Sequence, residues 1–189
     1  RLIPFEFSTT QTYMLEFSNL KIRFYKDNGA ILEGDKTITA ITQASPGVIT
    51  CSSHGYLTGD EILITAVVGM TELNNIRFLV VKIDANTFSL TDKDGVAINT
   101  TAYTAYSSAG TMNRVYTVAT PYTTAQLFDI KFAQSADVMY ITHPLHEVEK
   151  LSRAGHTDWT LADVEFTKGP FMDVNTTTTT LTPASTAAG

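Results

Sequence analysis

Short segments in which apolar and polar residues alternate restrict the fold of this chain more than any other feature of its sequence. Residues 20–25 show the pattern, because Leu20, Ile22 and Phe24 fall on one side and charged or aromatic residues fall on the other. A repeat of two is the spacing of a half-buried β-strand, whose successive side chains point to opposite faces. Turn residues separate such segments about every 8 to 12 residues, which is typical of sandwiches and small barrels. We therefore predict an all-β fold.

Composition supports this prediction and excludes several classes of function. Threonine, which favours strands, accounts for 31 of the 189 residues. The net charge of −6 argues against a protein that binds nucleic-acid phosphates through a basic stripe. A single cysteine, Cys51, excludes an intrachain disulfide framework and a cysteine-based zinc cluster. No apolar run approaches the roughly 18 residues of a membrane span, so we expect none.

The order of strand and turn signals predicts two modules. These are a discontinuous β domain over residues 1–35 and 114–175 and an inserted small β-barrel over residues 36–113. A Thr-rich extended tail or linker over residues 176–189 follows them. The ends of the insertion, near Thr37 and Met112, are expected to lie close together, as in tolerated insertions. The chain opens inside a strand without an initiator Met or a signal-peptide pattern, so we expect a piece of a longer polypeptide.

Further expectations concern individual segments. Residues 147–152 are predicted to form a strand with Val148 and Leu151 facing inward, and residues 123–129 to form one or two helical turns. The strand that starts at Arg1 and the extended residues 176–180 present edges that need pairing with another chain or a further segment.

Residues 53–110 carry four motifs in a fixed order: His-Gly, Gly-Asp, Gly-Met-x-Glu-Leu-Asn and Thr-Phe-Ser-Leu-Thr-Asp. This stretch resembles the first catalytic-cysteine half-domain of ubiquitin-activating enzymes. The resemblance implies an all-β module that lacks the catalytic cysteine of those enzymes, so its motif residues are expected to be structural. They are His54, Gly55, Gly59, Asp60, Gly69, Met70, Glu72, Leu73, Asn74, Phe88 and Asp92.

The flanking segments resemble tail proteins of short-tailed bacteriophages, of the nozzle or tail-hub kind. The resemblance lies in Arg-Leu-Ile-Pro-Phe-Glu-Phe-Ser at residues 1–8, Ala-Thr-Pro-Tyr at 119–122, the run from Gln-Ser-Ala-Asp to Thr-His-Pro at 134–144, and Gly-Pro-Phe at 169–171. It implies a structural virion protein in the phage tail that is not an enzyme. Its partners would be identical subunits in a ring and other tail proteins, with genomic DNA passing without specific binding. An acidic chain suits a channel that repels phosphate.

Two other classes of function compete with this hypothesis. The alternative is a host-recognition or tail-fibre module, or a decoration protein, whose partner would be a ligand on the host cell surface. A fibre should contain trimeric β-repeats, and the sequence contains none. The least favoured hypothesis is a glycan depolymerase, which needs paired carboxylates in a cleft, whereas Glu and Asp are scattered at turns here.

Two residue pairs have a reactive interpretation and a structural one. Cys51 and His54 are three apart, as a thiol nucleophile and its base would be, but a buried structural cysteine in a strand is favoured. His143 and His146 flank Pro144, which argues against the helix on which a His-x-x-His metal pair works best. We therefore expect no catalytic residue, no cofactor and no metal site.

Charged residues elsewhere also have structural interpretations. Asp92 and Asp94 resemble the start of a calcium loop but lack the later glutamate, so a solvated turn is favoured. Arg153 and Trp159 are candidates for an interface with another chain through a cation–π pair, although core anchoring of Trp159 is the favoured alternative. Asp137 is expected to pair with Arg153 or a neighbouring lysine.

Overall fold

The computed structural model describes residues 1–8 and 11–166, and this part of the chain consists of β-strands joined by turns. Its strands are β1 (Leu2–Ser8), β2 (Gln11–Ser18), β3 (Lys21–Lys26), β4 (Gly29–Ala30), β5 (Lys36–Thr37), β6 (Ala40–Ile41), β7 (Val48–Thr50), β8 (Glu61–Val68), β9 (Ile76–Lys82), β10 (Thr87–Thr91), β11 (Ser108–Arg114), β12 (Thr117–Ala119), β13 (Lys131–Ser135), β14 (Val138–His143), β15 (His146–Gly155) and β16 (Asp158–Asp163). Two single-turn 3-10 helices, Thr71–Leu73 and Thr124–Gln126, are the helical segments of the described ranges. The second lies within the segment predicted to be helical. The predicted all-β fold is confirmed.

The first sheet is an antiparallel meander of β1, β2 and β3, extended by β4 and β12, which both pair with β3. Ile22 and Phe24 are fully buried on one face of β3, as the alternation predicts. The same prediction is wrong for Leu20, which is 47% exposed and has a φ of 58°. The register of β2 and β3 leaves Asn19 and Leu20 as the two-residue turn, so Leu20 is not on the strand face.

The second sheet has seven strands in the order β5-β11-β8-β9-β10-β7-β6. The segment between β5 and β6 joins the two sides of this sheet. The Ile38 N–H donates to Gly110 O of β11 at 2.9 Å, and the Thr39 N–H donates to Thr50 O of β7 at 2.9 Å. The sheet therefore curls into a barrel-like form with its own hydrophobic interior. That interior contains Ile38, Ile41, Ile49, Cys51, Tyr56, Ile62, Ile64, Val67, Met70, Leu73, Phe78, Val80, Phe88, Leu90 and Met112.

The third sheet is antiparallel in the order β13-β14-β15-β16 and shares one hydrophobic core with the first sheet. Trp159 lies at the centre of this core. Its ring centroid is 4.5 Å from that of Phe24, 4.7 Å from Phe5 and 5.3 Å from Tyr13. Such aromatic contacts add to the free energy gained by burying the rings. Segments from before and after the second sheet therefore form a single packed unit.

One strand of the third sheet corrects the predicted burial. Val148 is partly buried, whereas Glu149 is 7% exposed and Leu151 is fully buried. Residues two apart share a face of a strand, but Val148 and Leu151 are three apart and do not. A carboxyl group therefore lies on the core face of β15, where an apolar residue was predicted.

Within residues 11–166 the chain passes between the two cores twice, and the two crossings lie side by side. Leu32 and Val115 form an antiparallel β-bridge, and β5 pairs with β11 so that Lys36 lies opposite Met112. The predicted proximity of the two ends of the inserted segment is confirmed.

Some predictions fall outside the described ranges. They are the last part of the discontinuous domain, residues 167–175, and the Thr-rich tail over residues 176–189 with its five consecutive threonines. Where the chain is described, no helix combines the length and the hydropathy that crossing a bilayer requires.

Candidate functional site

Three glycines of the motifs in residues 53–110 adopt backbone conformations that favour glycine. Gly55, Gly59 and Gly69 have φ angles of +72°, +93° and +94°. A Cβ atom at Gly55 or Gly59 would point into open space, but at Gly69 it would collide with the carbonyl oxygen of Ala105. Gly69 is therefore constrained twice, by its φ angle and by the close approach of another backbone segment.

The residues after Gly69 anchor the connection between β8 and β9 to the barrel, by burial and by hydrogen bonds. Met70 and Leu73 are fully buried in the barrel interior, as is Phe88 of β10. Asn74 takes the place of a neighbouring strand, because its Oδ1 accepts from the Val67 N–H at 2.8 Å and its Nδ2 donates to Val67 O at 2.9 Å. The side chain thus satisfies both backbone polar groups of a residue near the end of β8.

The motif carboxylates Glu72 and Asp92 accept hydrogen bonds from backbone N–H groups. Glu72 Oε1 accepts from the Thr104 N–H at 2.8 Å, and this bond is the main reason why the pKa of Glu72 lies below its usual value. Asp92 Oδ1 accepts from the N–H groups of Asp94 and Val96, both at 2.9 Å. Asp92 therefore supports the turn that contains Asp94, in which Asp94 is exposed and Asp92 is half-buried.

His54 and Cys51 are buried, and the contacts of both residues are structural. His54 Nδ1 accepts from the Tyr56 N–H at 2.9 Å, so the ring proton lies on Nε2, which donates to Asp84 O at 3.0 Å. The ring also packs edge-to-face on Phe88, with centroids 5.0 Å apart. Burial raises the pKa of the Cys51 thiol, away from the thiolate that a nucleophile requires. Both ring nitrogens of His54 are occupied, so this arrangement is not that of a nucleophile and its base.

Asp60 is the motif residue that connects the barrel to the two chain crossings. Arg114 donates from Nε and Nη2 to the two carboxylate oxygens of Glu33, at 2.9 and 2.8 Å, and from Nη1 to Asp60 Oδ2 at 3.0 Å. Bidentate pairing of this kind is strong and fixes geometry. Glu33 lies on the first crossing and Arg114 on the second, so the three residues, here called the Arg114 clamp, hold both crossings against the barrel.

Residues 36–113 expressed alone are expected to melt cooperatively, because they contain a closed hydrophobic interior and their own turns. A longer fragment, residues 33–116, restores the Arg114 clamp and is expected to melt at a higher temperature. Thermal denaturation followed by far-UV circular dichroism tests both expectations. A 36–113 fragment without strand signal or transition, beside a folded full chain, contradicts the two-module interpretation.

A cleft of about 500 Å³ separates the barrel from the first sheet. It is lined by Glu16, Arg23, Tyr25, Glu61, Arg77, Phe78, Leu79, Asp92 and Lys93. Arg23 Nη1 donates to Glu16 Oε1 at 3.2 Å, and Arg23 Nε lies 3.1 Å from Glu61 Oε2 without the alignment of a hydrogen bond. Three acidic and three basic side chains line the walls, so this junction cleft selects no sign of charge in a ligand.

His143 and His146 lie at the two ends of a tight hairpin, not on a helix. They are paired positions of β14 and β15, and their ring centroids are 5.0 Å apart. His143 Nδ1 accepts from the Leu145 N–H at 3.1 Å. Across residues 1–8 and 11–166, no three His, Cys, Asp or Glu side chains are arranged to hold a metal ion.

Arg153 contacts different partners from those proposed for an interface. Its Nε donates to Asp137 Oδ1 at 2.9 Å, which confirms the predicted pairing. Its guanidinium lies over Phe7, 3.8 Å from the ring centroid, and 5.5 Å from that of Tyr13, in place of the predicted contact with Trp159. Trp159 is only 5% exposed and belongs to the core. A role for these two residues in contacting another chain stays a prediction.

The free edge of β1 is closed at Glu6 by a side chain of the same chain. Pro4 has no N–H to offer, and the Gln134 side chain accepts from the Glu6 N–H at 3.1 Å and donates to Glu6 O at 2.9 Å. The Arg1 guanidinium donates to three carbonyls within residues 127–130. At Glu6 the Gln134 side chain takes the place of a neighbouring strand, so the expectation that this edge needs pairing with another chain or a further segment is wrong at this position.

Two groups of buried or partly buried polar residues were not predicted from the sequence: the Arg114 clamp, and the buried side chains of Tyr122 and Glu149. For Arg114 a signal existed, since it and Glu33 are opposite charges at the two predicted boundaries of the insertion. For Tyr122 and Glu149 no signal existed, because Glu149 alternates with exposed charged residues in the sequence and resembles them.

The polar side chains of the motif therefore support turns, strand ends and the chain crossings. Residues 44–116 match the family model described as the ubiquitin-activating enzyme E1 FCCH domain. The match includes all eleven motif residues and Arg114, and it begins after β5 and β6. The inserted β module of this chain is thus similar to that domain.

Proposed function

We propose that this chain is a structural component of a tailed-phage virion, most specifically a nozzle or hub protein of the tail that forms part of the DNA exit channel. It would act without catalysis, by assembling with identical subunits into a ring and with other tail proteins. The resemblance of residues 1–8, 119–122 and 134–144 to phage tail proteins motivates this proposal.

The use of the motif side chains is the structural observation that best supports a scaffolding role. Four motif side chains form hydrogen bonds with the backbone of their own module: Asn74, Glu72, Asp92 and His54. Asp60 adds the Arg114 clamp, which fixes the crossings to the barrel. Because their hydrogen-bonding groups are used within the module, these side chains are suited to stabilise a rigid fold and not to bind and convert a substrate.

The charge of the chain supports a channel through which DNA passes. With a net charge of −6, the surface repels phosphate on average and offers DNA no strong attachment. We expect electrophoretic mobility assays at low salt to show no retardation of double-stranded DNA. Salt-dependent retardation at micromolar protein would contradict a passive channel.

Imaging of particles that contain the chain tests the proposal directly. Cryo-electron microscopy is expected to show several identical copies in a closed ring at the tail, each contact burying more than about 1,000 Å². Isolated copies that project outward from a single small contact would overturn the nozzle proposal and favour a host-recognition or decoration protein.

The junction cleft is the observation that favours this second candidate function. Its volume of about 500 Å³ is in the range of ligand sites, and it combines Tyr25 and Phe78 with charged side chains. A glycan array probed with the full chain tests it. Binding that Arg77→Ala abolishes and Lys82→Ala retains would support recognition of a surface ligand, since Lys82 is exposed outside the cleft.

A further inference from the structure

Buried polar atoms without hydrogen-bond partners are concentrated in one place in the described part of the chain. Tyr122 Oη, His143 Nε2, His146 Nε2 and Glu149 Oε2 are all buried and unpartnered, and so is Thr120 Oγ1 two residues before Tyr122. Leaving such groups without partners is costly, so a concentration of them requires an explanation.

These side chains meet where the third sheet contacts the segment after β12. The ring centroid of Tyr122 is 5.2 Å from that of His146 and 5.9 Å from that of His143. Tyr122 is fully buried, and His143 and Glu149 are each 7% exposed. We call Tyr122, His143, His146 and Glu149 the buried polar cluster.

The tautomer of His143 argues against a metal ion as the missing partner. His143 Nδ1 accepts a hydrogen bond from the Leu145 N–H, so the proton of the neutral ring lies on Nε2. A nitrogen that carries a proton has no free electron pair for a metal. The cluster instead contains a ring N–H donor, a phenol and a carboxyl group, which together are suited to hold a proton.

Burial, more than the charges around it, favours the neutral form of Glu149. Burial raises the pKa of Glu149, and the negative charge of Asp163 on β16 adds to this, while the Tyr122 hydroxyl and His146 act in the opposite direction. From β2, the apolar Phe17 contacts Tyr122. Asp129 and Lys131 lie near His143 at the surface and carry opposite charges. Glu147 and Lys150 of β15 are exposed.

We propose that the buried polar cluster is a pH-sensitive latch, in which the protonated Glu149 carboxyl holds the β14–β15 hairpin against the Tyr122 segment and loss of its proton loosens this contact. Ionised Glu149 would carry its negative charge on a carboxyl group that is only 7% exposed and whose buried Oε2 has no hydrogen-bond partner. The Tyr122 segment follows β12 of the first sheet, so the latch couples the first and third sheets.

The direction of the pH dependence follows from the raised pKa. Between the ordinary pKa of a glutamate and the raised pKa in the folded chain, the folded state keeps a proton that the unfolded state has lost. The contribution to stability is therefore fully present below the ordinary value and is lost as pH rises through the raised one. Within this window the unfolding equilibrium constant increases by up to about tenfold per pH unit.

Urea unfolding of the full chain at pH values from 4.5, the ordinary pKa of glutamate, to about 9, the upper limit for buried glutamates, tests the proposal. Glu149→Gln keeps the shape of the side chain without its proton equilibrium, and Glu147→Gln makes the same change at an exposed position of the same strand. We expect Glu149→Gln to flatten the dependence and Glu147→Gln to retain it. Equal dependence in both variants would overturn the proposal.

A measurement on the unaltered chain applies even if Glu149→Gln does not fold. In carbon-13 NMR of labelled glutamate, the Glu149 carboxyl is expected to titrate at a higher pH than Glu147. The amide resonance of Leu145 should move with the same midpoint, because its N–H donates to His143 in the latch. Titration of Glu149 at or below the pH of Glu147, or a Leu145 resonance that ignores it, would overturn the latch.

Discussion

Replacing Gly69 by alanine is expected to destabilise the chain by about 3 kcal/mol or more, which places it among the strongly destabilising single changes. The positive φ of +94° alone costs an alanine about 1 to 2 kcal/mol. The rest comes from the collision of the new Cβ with the carbonyl oxygen of Ala105, which only a backbone shift can relieve.

Gly59 provides a matched control for this prediction. Its φ of +93° is nearly the same, but an added Cβ meets nothing within 4 Å. Gly59→Ala should therefore show only the cost of the φ angle, about 1 to 2 kcal/mol. Urea unfolding of both variants measures the difference. Equal losses would show that the close approach at Ala105 does not constrain the loop.

Trp159→Ala is expected to lower the free energy of unfolding by about 3 to 5 kcal/mol. The change removes the ring that contacts Phe5, Tyr13 and Phe24, and the two sheets around it cannot collapse fully into the space. In a chain of this size, the melting temperature should fall by on the order of 10 °C.

Phe128→Ala is the control, since this aromatic side chain is 77% exposed and its loss should change stability by less than about 0.5 kcal/mol. Size-exclusion chromatography of both variants separates a core role from an interface role. If Trp159→Ala left stability unchanged but altered the oligomeric state, Trp159 would be an interface residue after all.

Regular alternation made many strands predictable from the sequence. The strand predicted at residues 147–152 lies within β15, and the alternation in residues 20–25 predicts Ile22 and Phe24 on the buried face of β3. The predictions are wrong where strand pairing or packing overrides the local alternation of apolar and polar residues. Leu20 continues the alternation of β3, but the β2–β3 register uses it in the turn.

The polar interactions were less predictable than the strands. Gln134 reaches Glu6 across 128 residues of sequence, and no local pattern marks a side chain that closes a distant strand edge. Glu149 shows the same limit, since a carboxyl group that is kept on a core face looks in sequence like the exposed Glu147 beside it. Hydrophobic periodicity indicates which strands exist, whereas partners that are distant in sequence depend on the packing of whole sheets.

The side-by-side chain crossings have an evolutionary consequence. Because Leu32 and Val115 are bridged neighbours, a short turn between them would rejoin the host strands directly. Gain or loss of the barrel then requires a single insertion or deletion in the gene, and the core around Trp159 keeps all its residues. Recombination at this point would let lineages exchange the barrel for another module while the host sheets stay the same.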